Sequence, residues 1–361
     1  MAERRAILIT YPEPFIKDEF VELSHAAEYE IATTRTSKYL AHPRYGIGEG
    51  KALEIKDLVK ELGADVILVD ETLRSSQAYN LAKLTRVEAK DRERLILEIF
   101  NRRAASAEAK LQVRLAELSY EMSRAKEKVR LAKMGEQPGF FGLGKYEVDT
   151  YQKDIKRRVS FLHRKLDEAR KRRELYRASR KRSAFPIVSL AGYTGAGKTT
   201  LFNLLTNEAK TIGEGVFTTL STSTRALMID GEKVLLSDTV GFISRLPPYM
   251  IEAFKSTLEE LNYADLVLLA IDSSLSIDEM SIKLDSCEKT LADLSVTPSK
   301  VIYVLNKADL SSIADIAEKA SLLQLNLDRL VIVSAKTGDG IDNLKARLLQ
   351  YLEETPKIAM S

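Results

Sequence analysis

The chain has 361 residues, 45% of them hydrophobic and 30% charged, with a net charge of +3. At roughly 150 residues per domain this is enough for about two or three domains with cores of their own. One cysteine, Cys287, and three histidines, His25, His42 and His163, exclude a disulfide framework and a Cys/His zinc cluster, so no disulfide partner is expected. The start, MAERRAILITYPEP, has only a short apolar run, and no apolar stretch approaches the ~18 residues of a membrane span. Neither secretion nor membrane insertion is expected; the cytoplasm is.

The small net charge hides a segregation. Residues 85–182 hold 28 Lys and Arg against 15 Asp and Glu, and the rest of the chain carries −10. Within that body, residues 152–182 have 14 basic and 4 acidic side chains. Such a run attracts phosphate polymers without sequence preference, or serves as the solvated face of a helix.

Residues 1–88 alternate apolar runs (AILIT, VILVD) with amphipathic stretches (FVELSHAAEYEI, KALEIKDLVKELG, AYNLAKL), which predicts a small α/β layer with parallel strands. The glycines of HPRYGIGEGK do not fit the dinucleotide-binding spacing and predict a loop before a helix. Residues 89–182 predict a basic helical hairpin. From Arg92 to Met134 no Gly or Pro interrupts a three-and-four recurrence (Leu111, Leu115, Leu118, Met122, Ala125, Val129), and one continuous helix there would be about 65 Å long. GEQPGFFGLGKY then breaks it, and Ile155, Val159, Leu162, Leu166 and Ala169 repeat the pattern on a second, antiparallel helix. The stripes are core. The outward basic face and the tip residues Phe140 and Phe141 are left for contacts, by stacking on bases or by local packing.

Residues 183–356 change character. Apolar runs at 185–191, 233–238, 265–272, 300–306 and 330–334 separated by helical patterns predict a doubly wound parallel sheet, with a short tail at 357–361. Gly192, Tyr193, Thr194, Gly195, Ala196, Gly197, Lys198 and Thr199, followed by Thr200 and a helical pattern, fit GxxxxGK[ST] directly after the first strand. In that context the backbone N–H groups cradle a β-phosphate, Lys198 reaches the β- and γ-phosphates, and the Thr199 hydroxyl can ligate Mg²⁺. Asp238-Thr-Val-Gly241 closes the next apolar run, placing a carboxylate to hold the metal through water and a glycine N–H to sense the γ-phosphate. Asn306, Lys307 and Asp309 end another strand, and Ser334, Ala335 and Lys336 end the last. A carboxylate at Asp309 accepts from guanine N1–H and N2–H₂, which adenine cannot match; Lys307 would lie along the base and the Ala335 N–H would meet O6. The expected chemistry is GTP binding and hydrolysis to GDP.

With these motifs in place the chain resembles the translation-factor-related GTPases, and among them the HflX family. The resemblance extends to Phe217-Thr-Thr219-Leu220 with Thr224-Arg225, to Phe242-Ile243 and Leu246-Pro247, to residues 252–260, and in the amino-terminal half to Ser76-Gln77, Asn80-Leu81, Asp91-Arg92 and residues 110–113. It implies that Thr219 completes the Mg²⁺ coordination when GTP is bound. It also implies that the large ribosomal subunit and its rRNA are partners of the basic hairpin, with stalled or idle ribosomes dissociated or rescued. A protein-adaptor signalling GTPase and a ribosome-assembly timer are the alternatives. The sequence departs from the family in having Gly195 where an Asn is frequent, and in lacking the G-x-G-E run at the hairpin tip. Phe242, an apolar residue as is usual in the family, stands where Ras-like proteins have the water-orienting Gln, so intrinsic turnover is expected to be slow. Arg225 and Arg245 fall in the two switch segments and are expected to be solvated or phosphate-binding.

Overall fold

The computed structural model describes residues 4–133, 145–182, 185–207, 216–217 and 223–354. It divides into two compact units, Met1–Ala169 with Pro247–Ala253, and Arg170–Leu246 with Phe254–Ser361.

The first unit opens with β1 (Arg4–Thr10), α1 (Pro14–Ala26), β2 (Tyr29–Thr36), α2 (Glu49–Leu62), β3 (Val66–Val69), α3 (Ser75–Thr85) and β4 (Glu88–Asp91). The four strands form a parallel sheet in the order β2-β1-β3-β4. Its central strands are apolar along their length because both faces are covered. Ile7, Ile9, Ile67 and Val69 pack with Ile55 and Val59 of α2 and Leu81 of α3, while the alternate residues Leu8 and Leu68 are equally buried. Strands β2 and β4 go beyond the sequence expectation. FVELSHAAEYEI is not one amphipathic element: the helix ends at Ala26, Glu28 turns the chain with φ +61°, and the remainder becomes β2. HPRYGIGEG is a turn, bridged at His42 and Gly46, that delivers Gly48 to the start of α2. A Cβ on Gly46 would stand 2.5 Å from Leu73 Cδ2, and at φ +77° a side chain there would be strained and would have to push Leu73 aside.

Three helices follow: α4 (Arg92–Arg103), α5 (Ala107–Lys133) and α6 (Lys145–Arg182). The single helix expected from Arg92 to Met134 is therefore two. Ala104 leaves the helical region at φ −71°, ψ 91°, and the Ser106 hydroxyl accepts the Ala109 N–H at 3.0 Å, capping the new helix. Periodicity carries across such a break because neither Gly nor Pro is needed to make it. Leu115, Leu118 and Ala125 of α5 and Ile155, Leu162 and Leu166 of α6 are buried, whereas Lys153, Lys156, Arg157, Arg164 and Lys165 face solvent. The glycine-rich tip with Phe140 and Phe141, and the tail at 357–361, lie outside the described residues.

A buried ionic cluster holds the helices to this sheet. Arg92, the first residue of α4, bonds Asp70 at 2.8 Å and pairs with Glu19, all three shielded from solvent; Thr10 Oγ1 donates to Asp70 at 2.6 Å. Nearby, Asp91 caps α4 by accepting the Arg94 N–H at 2.8 Å and pairs with Arg124 of α5, which also reaches Glu93 at 3.4 Å. Glu93 accepts the hydroxyl of Tyr249 at 2.9 Å, on the segment Pro247–Ala253 that belongs to this unit.

The second unit contains β5 (Ile187–Gly192), α7 (Lys198–Thr206), β6 (Ser223–Ile229), β7 (Glu232–Asp238), α8 (Pro248–Tyr263) from Phe254 onward, β8 (Leu266–Asp272), α9 (Ile277–Asp293), β9 (Val301–Asn306), α10 (Ile313–Leu322), β10 (Leu330–Ile332) and α11 (Ile341–Glu354). The sheet runs β10-β9-β8-β5-β7-β6, parallel except for β6 against β7. Strand β6 was not among the expected strands. Its signal is the Asp230-Gly231 pair between two apolar runs, both with positive φ, which is the two-residue hairpin geometry. Leu190, Leu236, Leu268 and Val304 pack beneath Leu201, Phe202 and Leu205 of α7 and Leu344, Leu348 and Tyr351 of α11.

Replacing Arg92 with Met removes the cation that offsets two buried carboxylates. The expected cost is about 3–5 kcal/mol, seen as early loss of amide-exchange protection in β1 and β3 on titration with urea; an unchanged midpoint would show the cluster to be energetically idle.

Candidate phosphate and guanine site

Because β5, β7, β8, β9 and β10 are parallel, their carboxyl ends share one edge of the sheet, the edge at which doubly wound folds bind ligands. Gly192, Asp238, Asp272 and Asn306 are the last residues of four of those strands.

The loop from Gly192 to Lys198 is shaped by its glycines. At Gly192, with φ +142°, an added Cβ would lie 2.3 Å from the Ala270 carbonyl oxygen, and at Gly197, with φ +86°, 2.3 Å from Asn306 Nδ2. The loop therefore lies on β8 and on the Asn306 side chain with no space between, and releases the chain into α7 at Lys198. Lys198 is buried, its Nζ donates to the Tyr193 carbonyl at 2.7 Å, and burial pulls its pKa down to about 8 against the opposing attraction of Asp238. Thr199 is buried beside it and Thr200 is partly exposed on the first turn of α7. Asp238 is fully buried at the end of β7, and Thr239 Oγ1 anchors the following residue to the Leu190 carbonyl at 2.6 Å. Gly241 lies against Lys198.

The base-side motifs meet through side chains. Asn306 Nδ2 donates to the Ala196 carbonyl at 2.8 Å and Asn306 Oδ1 accepts the Ala335 N–H at 2.9 Å, so the Ala335 amide assigned to guanine O6 bonds Asn306 in this conformation. Asp309 is exposed, and its Oδ1 accepts the Ser334 hydroxyl at 2.6 Å; that bond holds the carboxylate below its usual pKa. Lys307, at φ +64°, donates to Asp272 Oδ2 at 2.5 Å. Lys336 is exposed beside this group. Asp272 was missed in the sequence; its signal is a carboxylate at the end of the apolar run DLVLLAID, where it orients both Lys307 and the Ser274 hydroxyl. Thr219 lies outside the described residues. Arg225 and Arg245 are exposed. Cys287 is a buried residue of α9 whose thiol burial pushes up to about 12, consistent with a helix residue and not a nucleophile.

Family models match most of the chain up to residue 307: GTP-binding GTPase N-terminal over residues 17–101, GTP-binding GTPase middle region over 103–180, and 50S ribosome-binding GTPase over 187–307. The GTPase HflX of Methanocaldococcus jannaschii is 42% identical over 352 residues, covering 96% of this chain and 86% of its own length. That of Thermococcus kodakarensis is 41% identical over 352 residues, covering 96% and 79%, and that of Escherichia coli 35% over 338 residues, covering 92% and 78%. The chain belongs to the HflX family. A GTP-binding protein from Sulfolobus solfataricus, solved in complex with GDP, superimposes with a TM-score of 0.53 and 26% identity over 97% of this chain and 99% of its own. This HflX-family chain carries a GTPase domain and is a GTPase.

Exchanging Asp309 for Asn replaces one acceptor with an NH₂ donor, which opposes guanine N2–H₂ and suits the C2 carbonyl of xanthine. Guanine nucleotide affinity should fall by about a hundredfold or more, with xanthosine diphosphate becoming the better ligand in a competition titration. Retained guanine preference would remove Asp309 from base recognition.

Proposed function

We propose that this GTPase uses the Gly192–Thr200 loop, Lys198 and the Gly241 N–H to hold and polarise the β- and γ-phosphates, with Asn306, Lys307, Asp309, Ser334, Ala335 and Lys336 selecting guanine. The observation that carries the assignment is the convergence of these residues at one edge of one sheet, tied together by Asn306. Phosphoryl transfer to water asks a protein chiefly for positioning and charge neutralisation, and a buried ammonium supplies both. The donors near it suit a hard cation: the Thr199 hydroxyl is on the first turn of α7 and the Asp238 carboxylate is buried at the end of β7. Thr199 and Thr219 would hold Mg²⁺, with Asp238 acting through water; when bound, it neutralises charge on the β- and γ-phosphate oxygens. The Phe242 side chain is buried and has no polar atom with which to orient water, so the isolated protein turns over slowly and a partner completes the site.

That partner, in our reading, is the large ribosomal subunit, met through rRNA by the basic face of the hairpin helices in the cytoplasm, with dissociation or rescue of stalled or idle ribosomes as the outcome. The support is the exposed row Lys153, Lys156, Arg157 and Arg164 on α6, the charge excess of residues 85–182, and the match to a domain described as ribosome-binding. Reversing those four charges should weaken binding to large subunits and flatten the dependence of log K on log salt by about three. In the same preparation, large subunits should raise GTP hydrolysis by the parent protein in a salt-sensitive way, and Lys198→Ala should abolish it. Strong protein binding that ignores both salt and RNA would favour an adaptor role, and selective binding to immature subunits an assembly timer.

A further inference from the structure

The segment after β7 does not leave the phosphate loop; it runs back along it. Phe242 N donates to the Gly192 carbonyl at 3.0 Å, and the Phe242 carbonyl accepts the Thr194 N–H at 2.8 Å, a parallel bridge centred on Tyr193. Two residues later the Ser244 N–H donates to the Tyr193 hydroxyl oxygen at 2.6 Å. The Tyr193 ring is buried, with the Lys283 ammonium 5.3 Å from its centroid, so the phenol has a cation–π contact as well as the hydrogen bond from Ser244. This arrangement presses Gly241 against the loop: a Cβ there would lie 3.0 Å from Lys198 Nζ and 2.9 Å from Thr194 Cγ2.

A phosphate oxygen bonded to Lys198 needs about 2.8 Å from Nζ, and its phosphorus lies farther out on the same line. Gly241 thus borders the Lys198 ammonium, and a γ-phosphate oxygen bonded to Nζ from that side would have to displace it. We infer that Tyr193 is a specificity-determining residue for triphosphate against diphosphate: its phenol oxygen holds residues 241–244 across the γ-phosphate position, and GTP must lift the segment that GDP leaves in place. The inference rests on the phosphate-loop assignment above and adds to it a side chain whose role there was carried only by its backbone.

Tyr193→Phe deletes the acceptor for Ser244 and keeps the ring beneath Lys283. Affinities for GDP and for a non-hydrolysable GTP analogue, measured by calorimetry on the full chain, should show the analogue-to-GDP ratio rising by about three- to tenfold, the span of one buried hydrogen bond. Amide exchange across residues 241–247 in the GDP complex should quicken in parallel. A tyrosine of merely structural importance would shift both nucleotides together and leave the ratio where it was. An unchanged ratio overturns the inference, whether exchange quickens, which would place the segment away from the γ-phosphate, or stays slow, which would show that the phenol does not hold it. Failure of the parent protein to bind either nucleotide would instead overturn the phosphate-loop assignment itself, and the role of Tyr193 with it.

Discussion

Asn306 is the side chain on which the geometry of the second unit depends. Its amide nitrogen reaches the phosphate loop at Ala196, its amide oxygen takes the N–H of Ala335, and its main-chain carbonyl accepts both the N–H and the hydroxyl of Ser273. Only a carboxamide presents a donor and an acceptor in one plane at this reach: aspartate would set a second acceptor against the Ala196 carbonyl, and leucine would leave buried polar groups unpaired, each at a cost of about 1–3 kcal/mol. The absence of a Cβ at Gly197 belongs to the same constraint, since that atom would occupy the place of Asn306 Nδ2. The asparagine beneath the loop is thus itself a reason for the glycine.

Around this tie the charges are distributed by cost. Lys198 is buried and its ammonium is disfavoured enough to bring its pKa to about 8, whereas Asp309 is exposed and its carboxylate is favoured by the Ser334 hydroxyl. On the proposed phosphate side the site would thus hold a cation that an anionic ligand relieves, and on the proposed base side an anion already settled against Ser334. The first has its greatest effect where charge changes during reaction; the second suits recognition of a base that does not change.

Much of this was visible in the residues. GYTGAGKT, DTVG, NKAD and SAK are short, and their meaning follows from hydrogen-bonding capacity at strand ends, so their places at one sheet edge needed little beyond the order of the apolar runs. What escaped were features that depend on packing between segments distant in the chain. Asp272 is one of many strand-end carboxylates until Lys307, 35 residues away, turns onto it. Strand β2 hid inside an amphipathic run because a left-handed Glu28 leaves no mark in a hydrophobic pattern. The break before α5 hid for the opposite reason: Ala104, Ala105 and Ser106 are residues that a helix tolerates, and a hydroxyl cap decided the matter. In the amino-terminal unit, Arg92 and Glu19 are 73 residues apart and look like ordinary surface charges until the fold buries both.

The second position of the phosphate loop shows how one residue can take two parts that sequence motifs do not separate. The main-chain carbonyl of Tyr193 accepts from Lys198, and its phenol accepts from Ser244, so the residue that steadies the cation also steadies the segment lying against that cation. Had the loop residue been small, the carbonyl would still orient the lysine, and the segment after Asp238 would keep the two backbone bonds at Phe242 but lose this side-chain tie. Those bonds involve no side-chain identity and give selection nothing to adjust. The phenol does: it adds one bond, of ordinary strength, at the point where diphosphate and triphosphate differ. A bond of that size is strong enough to bias which conformation the free protein prefers and weak enough for a γ-phosphate, with its charge-assisted bonds to Lys198, to overcome.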